Sequence, residues 1–141
     1  MKEILATFDE SPFSEATIPV LAMLAALPDV EIDLRSVAEI TAALDDDAIG
    51  KRRQELEAYL NRIATRLPNG PTYRVSTDVA MYPMDAATVL VERAQSEHPD
   101  MIIMATHGRS GVVRMLLGSV ADKVVHAGVA PVLLVHPRPE S

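Results

Sequence analysis

The residues best suited to chemistry lie in the last third of the chain, where an apolar run leads into a loop rich in glycine. Residues 101–105 are apolar, His107 and Gly108 follow in a turn, and nine residues separate Gly108 from Gly118 and Ser119. Glycine lets backbone N–H groups approach an anion closely, and the first turn of a helix adds unpaired N–H groups with partial positive charge. This spacing indicates a loop that can hold phosphate groups.

The segment after this loop begins like a helix. Ser119 followed by Asp122 resembles a capping box, in which two side chains satisfy N–H groups of the first helical turn. The chain contains no GxxxxGK[ST] sequence, and residues 108–111 do not fit GxGxxG. The glycine spacing alone is therefore weak evidence for a nucleotide site.

A second group of polar residues follows the first apolar run. Residues 4–8 have the pattern of a buried strand, and Asp9, Glu10 and Ser11 come directly after it. In an open parallel sheet the carboxyl ends of the strands border the ligand site, so Asp9 is placed to contact a ligand. Asp9 or Ser11 equally suits the cap of the next helix.

The hydrophobic pattern alternates between strand and helix along the whole chain. Strands are expected at residues 4–8, 30–37, 72–79, 101–105 and 131–136. Helices are expected at residues 14–27, over the apolar face from Ile49 to Leu67, from Pro83 as first helical residue, and at residues 119–128 with Gly128 as the stop. This alternation predicts a parallel sheet covered by helices on both faces.

Two charged runs flank the start of the second predicted helix. Residues 45–47 are three consecutive aspartates whose side chains diverge, and they lack the spacing of a calcium loop. We interpret them as a solvated helix start. The basic residues 51–53 are most simply a solvated helix face.

Length and composition limit the classes of function. The 141 residues most simply form one domain, and 13 basic against 20 acidic residues give a net charge of -7 that opposes nucleic-acid binding. A small nucleotide can still bind to a local group of N–H donors. The absence of cysteine excludes disulfide and thiolate chemistry. No signal peptide or apolar run of about 18 residues is present, so we expect a cytoplasmic protein with no membrane partner.

The loop and the strand before it resemble the universal stress protein family. Nucleotide-binding members carry glycine, two residues, glycine, nine residues, and then glycine followed by Ser or Thr. Here Ala105, Gly108, Gly118 and Ser119 stand at these positions, so the first glycine is replaced by Ala105. The family's Asp-Gly-Ser after the first strand is Asp9-Glu10-Ser11 in this chain. The resemblance covers essentially all of residues 1–141.

The resemblance implies a fold, a ligand and a set of site residues. The implied fold is a Rossmann-like α/β fold of the adenine nucleotide alpha hydrolase-like type, with an open five-stranded parallel sheet in the order 3-2-1-4-5. The implied function is binding of ATP, or of AMP or ADP, with Mg²⁺ or Mn²⁺, in a stress response. The residues that it assigns to adenine and ribose are Thr7, Asp9, Val37, Met104 and Ala105, and those that it assigns to the phosphates are His107, Gly108, Gly118, Ser119 and Val120.

Two other functions compete with nucleotide binding. One is a dimeric scaffold without nucleotide, because the family often dimerises through its last strand and the apolar run Val132–Val135 would leave an exposed edge in a monomer. The other is a slow ATP hydrolase that uses Asp9 or His107. The sequence offers no GxSxG motif and no pair of histidines at metal-ligand spacing, so we predict no catalytic or metal-binding residue.

Overall fold

Five parallel strands form a single sheet in the computed structural model, which describes residues 2–41, 45–106 and 117–137. The strands are β1 (Lys2–Thr7), β2 (Val30–Ile40), β3 (Thr72–Met81), β4 (Met101–Ala105) and β5 (Val132–Val135). Their order is β3-β2-β1-β4-β5, and every neighbouring pair is parallel. The predicted fold class and strand order are confirmed.

Helices cover both faces of this sheet. A short 3₁₀ helix (Ser14–Thr17) precedes α1 (Ile18–Leu24), and α2 (Asp46–Thr65), α3 (Ala86–Glu97) and α4 (Ser119–Ala127) follow between the later strands. On one face, Leu21 and Leu60 pack with strand residues that include Ile32. On the other face, Leu90 and Val124 pack with residues that include Leu5, Ile102 and Met104. Burial of each such large side chain stabilises the fold by about 1.5–3 kcal/mol.

The strands and the first helical segment differ in length from the prediction. Residues 14–27 divide into the 3₁₀ helix and α1, with Pro19 in the first turn of α1, where its missing N–H costs no hydrogen bond. β2 and β3 continue three and two residues beyond their predicted ends, and their pairing runs to Ile40 opposite Met81. The sequence concealed this extension because Glu39 interrupts the apolar pattern although its backbone still pairs with Ala80.

The start of one helix and the cap of another were predicted wrongly. α3 does not begin at Pro83, because Asp85 is its N-cap and accepts hydrogen bonds from the Thr88 N–H at 2.9 Å and the Thr88 hydroxyl at 2.7 Å. α4 begins at Ser119 as predicted but has no capping box, since its N-cap is Gly118 and no side chain of the described residues caps it. Two other helix ends were predicted correctly. Asp45 caps α2 by accepting the Ala48 N–H, and Gly128 ends α4 with a left-handed φ of 63°.

Within the described ranges of the chain, no helix combines the length and the apolar character that crossing a membrane requires.

Candidate functional site

A cavity of about 420 Å³ opens at the carboxyl ends of β1, β2 and β4. This volume lies within the usual range of about 300–1,000 Å³ for small-ligand sites. Eight of the ten predicted site residues line the cavity, namely Thr7, Asp9, Val37, Met104, Ala105, Gly118, Ser119 and Val120. The other two, His107 and Gly108, lie outside the described residues. The structure thus brings together residues from three strands and one helix that are far apart in sequence.

Strand geometry explains why these residues converge. Val37 and Met104 belong with Leu5 to the cluster beneath α3 and α4. Thr7 follows Leu5 by two residues on β1 and therefore points to the same face of the sheet. Since all the strands are parallel, their carboxyl ends meet at one edge. The cavity lies at this edge, next to the N-terminal ends of α3 and α4, where Ala86 and Ser119 line it.

The loop after β1 is held in place by side-chain hydrogen bonds. The Asp9 carboxylate accepts the Ser11 N–H at 2.9 Å, and the Ser14 hydroxyl accepts the Asp9 N–H at 3.4 Å. The Ser36 hydroxyl donates to the Phe8 carbonyl at 2.7 Å, which ties this loop to β2. Asp9 therefore shapes the turn and also lines the cavity. The alternative interpretation of Asp9 as a helix cap is wrong, because Phe13 and Thr17 are the N-caps of the 3₁₀ helix and of α1, and neither cap has a side-chain hydrogen bond.

Glu10, the next residue, has an unusual backbone conformation and an ion pair across the cavity rim. Its φ is 68°, in the left-handed region that favours glycine. Its carboxylate pairs with the guanidinium of Arg52 on α2, and both residues line the cavity. The hydrogen bond to Glu10 is the main reason why the pKa of Arg52 is raised above its ordinary value.

The prediction that residues 51–53 form a simple solvated face is therefore wrong for Arg52. Arg52 lies one helical turn before Leu56, which is buried and also lines the cavity. A separation of four residues places both side chains on the same side of α2. The spacing of Arg52 and Leu56 was the sequence signal that Arg52 lies beside the core. The sequence does not show that Glu10 lies opposite Arg52.

α3 and α4 both begin at the cavity, but their first turns are capped differently. At α3, the Asp85 carboxylate caps the helix and also pairs with Lys123 of α4 at 2.6 Å. The hydrogen bond from Lys123 is the main reason why the pKa of Asp85 lies well below its usual range. At α4, the Gly118 N–H donates to the Thr106 carbonyl at 2.5 Å, and no described side chain caps the N–H groups that follow. An anion therefore meets N–H donors without a capping side chain at α4 rather than at α3.

Arg35 of β2 is a buried cation that the sequence analysis missed. It lines the cavity, is 3% exposed, and pairs with Asp33 at 2.7 Å, Asp78 at 3.1 Å and Glu97 at 2.8 Å. Burial opposes the charge, but the carboxylates of Asp33, Glu97 and Asp78 outweigh it and raise the pKa of Arg35. The alternation of Val30, Ile32 and Leu34 places residues 33 and 35 on the opposite side of β2, but the sequence does not show which groups cover that side.

The charged groups of the described lining are in part already paired. Arg35 and Arg52 are its basic residues, and each contacts at least two carboxylates. The described residues contain no cluster of three or more His, Cys, Asp or Glu side chains that could hold a metal ion. Thr106 directly follows β4 and His136 directly follows β5, and the Thr106 hydroxyl lies 3.0 Å from Nδ1 of His136.

Two curated relatives carry the name of one family. Universal stress protein Mb2028c of Mycobacterium bovis is 33% identical over 140 residues, with 93% of this chain and 44% of that protein aligned. Universal stress protein MJ0531 of Methanocaldococcus jannaschii is 45% identical over 49 residues, which cover 35% of this chain and 29% of that protein. The chain thus spans less than half the length of these relatives.

Solved structures share the fold. Hypothetical protein MJ0577 aligns with a TM-score of 0.82 and 24% identity, covering 99% of this chain and 98% of that one. A universal stress protein in complex with cAMP has a TM-score of 0.72 and 17% identity, covering 97% and 98%. The universal stress protein from Archaeoglobus fulgidus in complex with dAMP has a TM-score of 0.63 and 19% identity, covering 96% and 97%.

A sequence model of the universal stress protein family matches residues 1–136. The match includes all five strands and all four α-helices of the described structure. The resemblance noted in the sequence is therefore confirmed, and this chain belongs to the universal stress protein family.

Proposed function

We propose that this protein binds an adenine nucleotide in the cavity at the carboxyl ends of β1, β2 and β4. The observation that carries the proposal is the N-terminal end of α4, which lines this cavity through Gly118 and Ser119 and has no side-chain cap from the part of the chain that the structure describes. Such a helix end is suited to phosphate. Two structural neighbours were solved with cAMP and dAMP, which are adenine nucleotides.

The order of the strands indicates where the phosphate, the ribose and the base of the ligand lie in the cavity. With the phosphate at α4, next to β4, the rest of the ligand extends over β1 towards β2, which is two strand spacings or about 10 Å away. Asp9, at the end of β1, then lies midway, where its carboxylate can accept hydrogen bonds from the ribose hydroxyls. The base lies beside Val37, Leu56 and Arg52, which we call the base side of the cavity.

Ala105 is compatible with this arrangement. It stands where the family motif has its first glycine, and it is one of the residues that line the cavity. The volume of about 420 Å³ remains open with this methyl group in place. The substitution therefore does not fill the site.

ATP places more charge in this cavity than AMP does. The described lining carries the acidic residues Asp9, Glu10 and Glu39 beside Arg35 and Arg52, which are already paired with carboxylates. Mg²⁺ or Mn²⁺ then arrives with the phosphates of ATP and neutralises part of their charge, since Mg²⁺ is usually held by substrate phosphates with one or two carboxylates. AMP needs no such compensation.

Titration calorimetry with AMP, ADP and ATP, each with and without Mg²⁺, tests the proposal. We expect Gly118→Val to abolish binding, because a branched side chain at the helix N-cap blocks the approach of phosphate to the N–H groups. The φ of Gly118 is -59°, which suits any residue, so the Gly118→Val variant should fold. Gly50→Ala is the matched control, since no atom lies within 4 Å of a Cβ added at Gly50 and the residue does not line the cavity. Unchanged affinity in Gly118→Val contradicts our placement of the phosphate.

Strand β5 favours a second candidate function, a dimeric scaffold. β5 is an edge strand that pairs with β4, and all four residues of Val132–Val135 are only partly buried. An apolar edge of this kind is suited to a second copy of the chain. Sedimentation equilibrium measures the dimer directly. A dimer that shows no heat or thermal shift with millimolar nucleotide favours the scaffold, and product analysis after long incubation with ATP tests slow hydrolysis.

A further inference from the structure

The pair formed by Glu10 and Arg52 combines three independent observations. Glu10 holds a left-handed φ of 68°, a conformation that a residue with a side chain adopts at a cost. Its carboxylate reaches Arg52, 42 residues away on α2. Both side chains line the cavity and are about one-third exposed, 31% for Glu10 and 33% for Arg52. Residues with strained backbone conformations are common at ligand-binding sites.

The position of Arg52 decides which part of a ligand it meets. α2 follows β2, and Arg52 and Leu56 face the cavity from that side. The α4 N-terminus, where we place the phosphate, is on the other side of β1. Arg52 is therefore on the base side, across the cavity from the phosphate.

We propose that Glu10 holds the guanidinium of Arg52 against the face of the bound purine, so that this pair determines affinity for a flat aromatic base. The inference rests on the proposed function and adds the recognition of the base to it. A guanidinium is planar and stacks parallel to an aromatic face, whereas an ammonium group offers only the cation–π attraction. Glu10 fixes its position from the loop after β1, and Glu55, 3.4 Å from Arg52 on the same helix, adds a second acceptor.

Affinities for adenosine and AMP in a set of variants test this role. We expect Arg52→Ala to weaken both ligands by the same factor, about three- to tenfold, because both carry the base. Arg52→Lys should also weaken both ligands, but less than Arg52→Ala, since it keeps the charge and loses the planar group. Glu10→Gln should lose less, because the amide still accepts a hydrogen bond from Arg52 without attracting it by charge.

The chain offers a matched control in the pair of Arg66 and Glu15. This pair also joins α2 to the segment after β1, at 2.7 Å, but neither residue lines the cavity. We expect Arg66→Ala to leave both affinities unchanged. Melting temperatures of all variants report separately on the fold.

Each outcome supports or overturns the inference. Equal losses for adenosine and AMP in Arg52→Ala, with Arg66→Ala unchanged, support it. A loss for AMP alone assigns Arg52 to the phosphate and overturns it, as do unchanged affinities or an equal loss in Arg66→Ala. A wild-type protein that binds neither ligand overturns the proposed function itself, and the inference with it, so the two failures are distinguishable.

Discussion

Replacement of Arg35 by methionine should be among the most destabilising single changes in the protein. The guanidinium is 3% exposed, and its partners Asp33 and Asp78 have side chains that are 6% and 10% exposed. Methionine fills a similar volume but removes the buried cation between these two carboxylates, whose remaining partners, Arg74 at 3.4 Å from Asp33 and Arg93 at 3.1 Å from Asp78, are about half exposed. Removing one partner of a buried ion pair costs about 3–5 kcal/mol. Glu97 is 36% exposed and regains water, so we assign no further cost to it.

Urea denaturation at pH 7 measures this loss in the free energy of unfolding. The control is Arg66→Met, because the Arg66–Glu15 pair is 54% and 26% exposed and should contribute less than about 1 kcal/mol. A double variant, Arg35→Met with Asp33→Leu, should recover at least about 1 kcal/mol of the loss, since it removes one buried carboxylate as well. A loss below about 1 kcal/mol in Arg35→Met would refute the view that Arg35 compensates buried negative charge.

Two further predictions concern the pH dependence of stability. Asp85→Ala should lower the free energy of unfolding by about 1 kcal/mol at pH 7, because it removes the α3 cap. The folded pKa of Asp85 is depressed, so this contribution is present above about pH 4 and is lost as the pH falls further; urea titrations at several acidic pH values should show the variant and wild type converging. Tyr59→Phe removes a 3.0 Å hydrogen bond to Glu15 and should cost about 0.5–1.5 kcal/mol at pH 7. Burial, followed by that hydrogen bond, raises the folded pKa of Tyr59, so wild type should lose stability above about pH 10 and the variant should lose less; identical alkaline unfolding curves would contradict this.

The glutamate at position 10 shows how a departure from a family motif can be compensated. The family's Asp-Gly-Ser has glycine where this chain has Glu10, and the left-handed φ of 68° explains that preference. The carboxylate offsets part of the conformational cost through its pair with Arg52. Position 10 thus combines a backbone conformation that costs energy with a charged pair at the cavity rim.

Much of the fold follows from local patterns in the sequence. Alternating apolar runs and helical spacing gave the five strands and the helices between them, because burial of one face imposes a period of two on strands and 3.6 on helices. The strand order came from the family resemblance, as did eight residues that line one cavity. Gly128 could be predicted as a helix end because glycine readily adopts the left-handed backbone conformation, and Gly128 has that conformation at the end of α4.

The sequence by itself determined the alternation of elements, the parallel sheet and the glycine-bearing segment at Gly118. The tertiary structure alone decided which polar residues are buried and paired. Arg35 meets Glu97 from 62 residues away, and Arg52 meets Glu10 from 42 residues away. Periodicity shows which face of an element a side chain occupies, but the group that covers this face depends on elements distant in sequence. Asp9 was recognisable from its place after the first strand, but the pairs of Arg35 and Arg52 beside the cavity were recognisable only after the helices had been placed on the sheet.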